Sequence, residues 1–160
     1  MNIRKAKLKD VSQIVDFAVD LLNHHEKFDP NYAPAKNVKK VYKKWITRCI
    51  HSNNRHLIVA EDNDNIIGYA LAETSTKPPV FKLRKYGYIS DMYVTNKYRG
   101  KGVAKALLKD LAYWFRNKRL DHIELTVHAK NELALNAWKK YGFEEYTSNH
   151  RIKLGKLLKI

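Results

Sequence analysis

A single cysteine, Cys49, among 160 residues leaves no partner for an internal disulfide. No run of about 18 apolar residues is present, so nothing in the sequence is expected to span a membrane. The opening MNIRKAKLKDVSQ is basic but lacks the apolar segment of a secretory leader. These absences lead to the expectation of a cytoplasmic protein with no membrane partner. Acidic side chains are also scarce: Asp and Glu number 16 against 31 Lys and Arg, a formal net charge of +15. What is there is ample apolar material, 44% of the chain, enough to bury a core over one domain of residues 1–160.

The positive charge is unevenly spread. Residues 1–80 hold 13 basic and 9 acidic side chains, and residues 81–160 hold 18 and 7. A field of this sign concentrates anions such as nucleotide phosphates, nucleic acid or an anionic surface. The plain alternative is lysines solvating exposed helix faces.

Apolar spacing predicts the element order. Met1–Lys7 reads as a short strand. Val11, Ile14, Val15, Ala18, Leu21 and Leu22 share one helical face, with Asp10 and Gln13 as a capping box. FDPNYAP ends that helix, and Val38, Val41, Tyr42, Trp45, Ile46 and Cys49 mark a second. HLIVAE and IIGYALAETS read as strands joined at DNDN, and YGYISDMYV as a fourth strand, Tyr86–Val94. A long helix follows over Val103–Phe115, then a fifth strand, His122–Val127. NELALNAWKKY reads as a short helix, with GFEEY and RIKL as closing strands. The expected class is α/β: a mixed central sheet flanked by helices.

Between the fourth strand and the long helix lies NKYRGKGVAKALL. Gly100 and Gly102 let the backbone turn tightly and let a ligand approach the amides. The first amides of a helix lack intrahelical acceptors, and the helix dipole favours an anion there. Arg99 and Lys101 add charge. A Walker loop is absent, and a dinucleotide fingerprint fails because Lys105 stands where a small residue is required.

Arg99-x-x-Gly102-x-Ala104 resembles the pyrophosphate motif of the GCN5-related N-acetyltransferases, the GNAT superfamily. DMYVTNKY resembles that family's fourth strand and its exit, and NELALNAWKKYGF its second signature. The resemblance runs over roughly residues 56–146. It implies acetyl-CoA as acyl donor, no metal, and a cleft where the fourth and fifth strands splay apart. It also implies that backbone groups along Met92, Tyr93 and Val94 pair with the pantetheine arm. Amides of Arg99, Gly100, Lys101, Gly102, Val103 and Ala104 would hold the pyrophosphate, and Asn131 would contact the cofactor.

The implied reaction is acetyl transfer to a primary amine of a small molecule, peptide or protein, by direct attack in a ternary complex. The amine must lose a proton, since alkyl ammonium groups have a pKa near about 10. The amide of Met92 or Val94 would polarise the thioester carbonyl. Asp91, beside Ser90, is the carboxylate placed to relay the amine proton through water; its alternative is a strand-end carboxylate paired with a lysine. The family often places a tyrosine acid where this chain has Trp138, and an indole only donates. Tyr141 is the nearby hydroxyl.

Cys49 sits on an apolar stripe and reads as core. His24 and His25 are adjacent, hence on different helix faces, and form no metal pair. Glu26, Asp29 and Tyr32 lie between the first two helices, where they either meet the acceptor or simply connect. From a different class, the charge alone fits a basic nucleic-acid- or ribosome-associated binding protein without catalysis. No helix-turn-helix, zinc or RNA-sheet signature supports specific nucleic-acid binding. The acceptor identity stays open, and a homodimer is admitted.

Overall fold

The computed structural model describes all 160 residues, in two compact units, 1–126 and 127–160. In the first, β1 (Asn2–Lys5), α1 (Val11–Glu26), α2 (Val38–Ile50), β2 (Arg55–Asp62), β3 (Asn65–Thr76), β4 (Lys85–Val94), α3 (Val103–Asn117) and β5 (Ile123–Leu125) follow in chain order. The second carries α4 (Glu132–Lys140) and a single helical turn, α5 (Leu154–Leu157).

The five strands form one mixed sheet in sequence order, antiparallel except for the parallel β4–β5 pair. Asn63 and Asp64 turn the β2–β3 hairpin with φ of 46° and 62°. Asn and Asp tolerate that left-handed backbone, and a two-residue loop of this kind matches strand twist. One sheet face carries Leu57, Val59, Tyr69 and Leu71, which pack with Val11, Ile14, Val15 and Ala18 of α1 and with Ile46 and Cys49 of α2. The other face meets α3, whose Val103, Leu107, Leu111 and Phe115 recur at helical spacing and are all buried.

Arg4 ties β1 to the start of α1 and to β2. Its guanidinium donates to Asp10 at 2.7 and 3.2 Å and to Glu61 at 2.6 and 3.1 Å. Burial raises the Asp10 carboxyl, but hydrogen bonds from Arg4 and the Lys7 amide outweigh it and leave the group below its ordinary value. Asp10 is therefore not the reciprocal cap expected with Gln13. Its carboxylate accepts from the Lys7 amide at 2.7 Å, while Gln13 donates to the Ile66 carbonyl.

Two expected strands are absent. Residues 143–153 form neither helix nor strand, and α5 stands just beyond Arg151–Lys153. Apolar alternation creates a strand only where a neighbour supplies ladder hydrogen bonds. Here none does, and Tyr146 and Ile152 stay exposed. β5 is also shorter than expected, three residues instead of six.

Candidate active site

The site begins with the difference in length between β4 and β5. β5 pairs with Gly87, Tyr88 and Ile89 only, while β4 continues to Val94. On its other side β4 stays paired with β3 throughout, to Gly68↔Val94. The Thr95 amide donates to the Ile67 carbonyl of β3 at 2.9 Å. Strand alternation then turns the Met92 and Val94 amides away from β3, toward the side that β5 has left. This is the splay expected from the sequence.

A bulge sits at the point of divergence. Asp91 faces Leu71 and Ile89 faces Ala72, so Ser90 is an extra residue without a counterpart. Without it, Gly87, Ile89 and Asp91 would share the α3 face. The bulge rotates Asp91 and Tyr93 onto the face of α1 and α2, beside Tyr69. Tyr69 Oη donates to Asp91 Oδ2 at 3.3 Å. Asp91 keeps some exposed surface, yet protein surrounds its carboxyl closely enough that lost hydration governs it. Burial pushes it up to about 6, against a smaller opposite effect of the Tyr69 hydrogen bond. Burial, then the Asp91 charge, pushes the nearby Tyr42 hydroxyl up to about 12. Tyr93 stacks on Phe17 with ring centroids 4.9 Å apart and donates to Asp20 at 3.2 Å. A carboxyl poised near neutrality, at the end of a one-sided strand, suits general-base work.

The glycine loop follows directly. Gly100 and Gly102 have φ of +75° and +82°. No other atom lies within 4 Å of a Cβ built at either. Their left-handed backbone explains glycine there, and the open space means that packing does not. Gly102 caps α3 without a side-chain cap, and its carbonyl accepts from Ala106. The amides of Val103 and Ala104 precede the first intrahelical bond and have no helical acceptor. Lys101 extends over the Tyr98 ring at 5.4 Å, and Tyr98 donates to Asp62 at 3.1 Å. Arg99 behaves differently from the expectation. Its Nε donates to the Val94 carbonyl at 3.0 Å, so its side chain braces the end of β4. Open amides, positive φ and Lys101 together fit a pyrophosphate group.

Other candidates separate in the structure. Cys49 is buried, and burial pushes its thiol up to about 11, as suits a core residue. Asp29 is buried, and its Oδ1 accepts from the Asn31 amide and side chain, capping a helical turn at Pro30–Tyr32. Glu26 is exposed, and Tyr32 meets His25 edge-on. No cluster of three His, Cys, Asp or Glu side chains could hold a metal.

In the second unit, Asn131 is buried and its Oδ1 accepts from the Ala134 amide at 3.1 Å, capping α4. Trp138 packs edge-on against Phe143 and Tyr141, and Tyr141 is 42% exposed. Sequence reasoning missed Tyr69, because only the bulge brings it to Asp91. It also missed Asp20 beneath Tyr93; the helical spacing of Phe17 and Asp20 was the available signal.

Comparison with known proteins agrees with this geometry. The family model for the acetyltransferase (GNAT) family matches residues 18–143. An L-amino acid N-acetyltransferase of Escherichia coli is 31% identical over 91 residues, covering 56% of this chain and 53% of that protein. The chain spans about half the length of the first curated relatives it matches. The crystal structure of a predicted acetyltransferase with acetyl-CoA from Clostridium acetobutylicum is 26% identical, with a TM-score of 0.74 and 97% of each chain covered. A Bacillus halodurans protein at 20% identity shares the fold, with a TM-score of 0.87 over 96% of this chain and all of that one. With most of its length matched, from Ala18 to Phe143, and with the splayed sheet and glycine loop in place, the chain belongs to the GNAT family of acetyltransferases.

Proposed function

We propose that this chain transfers an acetyl group from acetyl-CoA to a primary amine, by direct attack in a ternary complex. The observation that carries the reading is the C-terminal half of β4, paired on one side only and running into the open glycine loop. Bound there, acetyl-CoA supplies an activated acyl group and a good leaving thiolate. The amides of Val103 and Ala104, with those of Gly100 and Gly102, hold the pyrophosphate. The Arg99 and Lys101 amides, expected to join them, donate instead to the Asn96 and Tyr98 carbonyls at 3.3 and 3.4 Å. The Met92 and Val94 amides serve the pantetheine arm and the thioester carbonyl oxygen, where a fixed donor stabilises developing negative charge. Arg99 keeps the last turn of this edge in position through the Val94 carbonyl.

Asp91 takes the amine proton through water. With its carboxyl near 6, it is ionised at neutral pH and still able to accept a proton. Tyr69 holds the carboxylate by donating to Oδ2. No side-chain acid is assigned to the leaving group, since a thiol pKa of about 8.5 lets the thiolate leave unaided. Trp138 has no proton to exchange usefully, and Tyr141 is left with packing.

Asn131 as a cofactor contact rests on the family pattern alone. A single catalytic domain over residues 1–160 and a cytoplasmic setting belong to the same proposal. The first is tested by one cooperative unfolding transition, and the second is supported by the lone, buried Cys49 thiol. A thiol-release screen across amines, amino acids, polyamines and peptide N-termini tests the reaction and its acceptor together. Turnover with at least one amine is expected. Cofactor binding without turnover on any class would overturn the enzyme reading in favour of a basic binding module.

A further inference from the structure

Away from the glycine loop, a cavity of about 330 Å3 opens among the ends of β1 and α2, the start of β2 and the later turns of α3. Sheet register separates it from the proposed acyl-donor site. His56, in its wall, lies opposite Ala72, which lies opposite Ile89 on β4; the loop end of the sheet is marked by Ala60, Gly68 and Val94. The volume is at the small end of ligand pockets, so any occupant is compact.

The lining is one-signed. Lys5, Arg55 and Lys118 contribute cations, His51 and His56 contribute imidazoles, and no lining residue is acidic. Two of the three cations, Arg55 and Lys118, are positioned before any ligand arrives. Arg55 is held by Glu73 at 2.9 Å and lies 4.3 Å over the Trp45 ring. Lys118 Nζ donates to the Asn53 carbonyl at 2.8 Å and sits 5.7 Å from the Trp114 ring centre.

His56 is the focal group. It is 92% buried, stacked on Trp114 at 5.3 Å with planes 5° apart, and bound through Nε2 to Asp110 at 2.7 Å. Its Nδ1 has no hydrogen bond in the protein, yet no fully buried side-chain nitrogen or oxygen lacks a partner. Nδ1 therefore keeps access to solvent, and His56 is one of the residues lining the cavity. The Asp110 contact and the Trp114 stack fix the ring as one wall of the cavity.

We propose that this cavity is an anion-binding site, distinct from the acyl-donor site, for a compact ligand bearing a carboxylate or phosphate group. The ammonium of Lys118 binds the anionic head beside the stacked His56–Trp114 wall, and Lys5 and Arg55 set the field. The proposal needs no assumption about acyl transfer.

The test is a pair of NMR titrations of the full chain, one with inorganic phosphate and one with succinate, against chloride at matched ionic strength. Saturable shifts of the Trp114 indole and the His56 ring are expected in at least one arm, with a Kd in about the millimolar range. The arm that responds names the anion class. Lys118→Ala should weaken binding about tenfold, and His56→Gln, which removes the stacked wall, should weaken it by a similar factor. Gly102→Glu should leave them intact, so loss of the acyl-donor site and loss of this one read out separately. Shifts that track chloride equally, or that survive Lys118→Ala undiminished, would overturn the proposal. Should His56→Gln fail to fold, the Lys118→Ala comparison decides alone.

Discussion

The two halves of β4 are built from similar residues and do opposite things. Lys85–Ile89 is paired with β3 on one side and approached by β5 on the other, and Gly87 packs tightly against α3. Ser90–Val94 keeps β3 but has lost β5, and a bulge at Ser90 turns its side chains over. Closed pairing makes the first half part of the core. One missing neighbour and one extra residue make the second half a row of open amides with a carboxyl beside it. Position relative to a neighbouring strand, more than residue type, separates scaffold from site.

Gly87 in the paired half and Gly102 in the loop beyond the open half sharpen this contrast. A Cβ at Gly102 would meet nothing within 4 Å, whereas one at Gly87 would lie 2.4 Å from the Phe115 ring and 2.7 Å from Ile123. Gly102→Glu is therefore expected to leave a folded protein that has lost acetyl-CoA, with binding down by at least about 1000-fold, the scale of two buried charge-assisted contacts. Calorimetry reads the binding, and circular dichroism reads the fold. Gly87→Ala should do the reverse, destabilising by about 3 kcal/mol through overpacking while residual folded protein still binds. A Gly87→Ala variant of unchanged melting temperature would break the comparison.

Next in size is Asp91→Asn, expected to lower kcat/KM about 100-fold at neutral pH. The pH profile separates a base from a structural carboxylate. A base works deprotonated, so activity of the native chain should rise with pH through a limb near 6. In Asp91→Asn that limb should vanish, with activity recovering toward high pH, where the free amine is already neutral. An unchanged limb would return Asp91 to the scaffold. Tyr69→Phe is a smaller perturbation. It removes the hydrogen bond that favours the carboxylate, so the limb should move to higher pH while the plateau stays within a few-fold. Tyr141→Phe is expected to change kcat by less than about tenfold, since a proton-transfer role would cost about 100-fold.

Much of the scaffold was legible because alternation and helical spacing report burial directly. Val103, Leu107, Leu111 and Phe115 lie on one side of α3, as their spacing requires, and Asn63–Asp64 turns where the polar run predicts. The glycine loop was legible for a different reason: positive φ leaves a chemical trace, glycine, at Gly100 and Gly102. What was hidden depends on partners rather than on residues. The bulge at Ser90 has no compositional mark, so the Tyr69–Asp91 hydrogen bond could not be read from sequence. The Arg99 side chain looked like a phosphate ligand by charge, but a backbone carbonyl lay within reach. Asp10 looked like a cap for Gln13 until Arg4 and Glu61 supplied a stronger network. The closing strands failed likewise, since alternation near residues 143–153 meets no ladder.

The central claim is that the open half of β4 and the glycine loop together bind the acyl donor. Amide chemical-shift mapping during an acetyl-CoA titration tests it most directly. The account predicts saturable shifts concentrated at Met92, Val94 and Gly100–Ala104, with the paired residues Gly87–Ile89 nearly still. No saturable binding at millimolar acetyl-CoA, or shifts of equal size along both halves of β4, would contradict it.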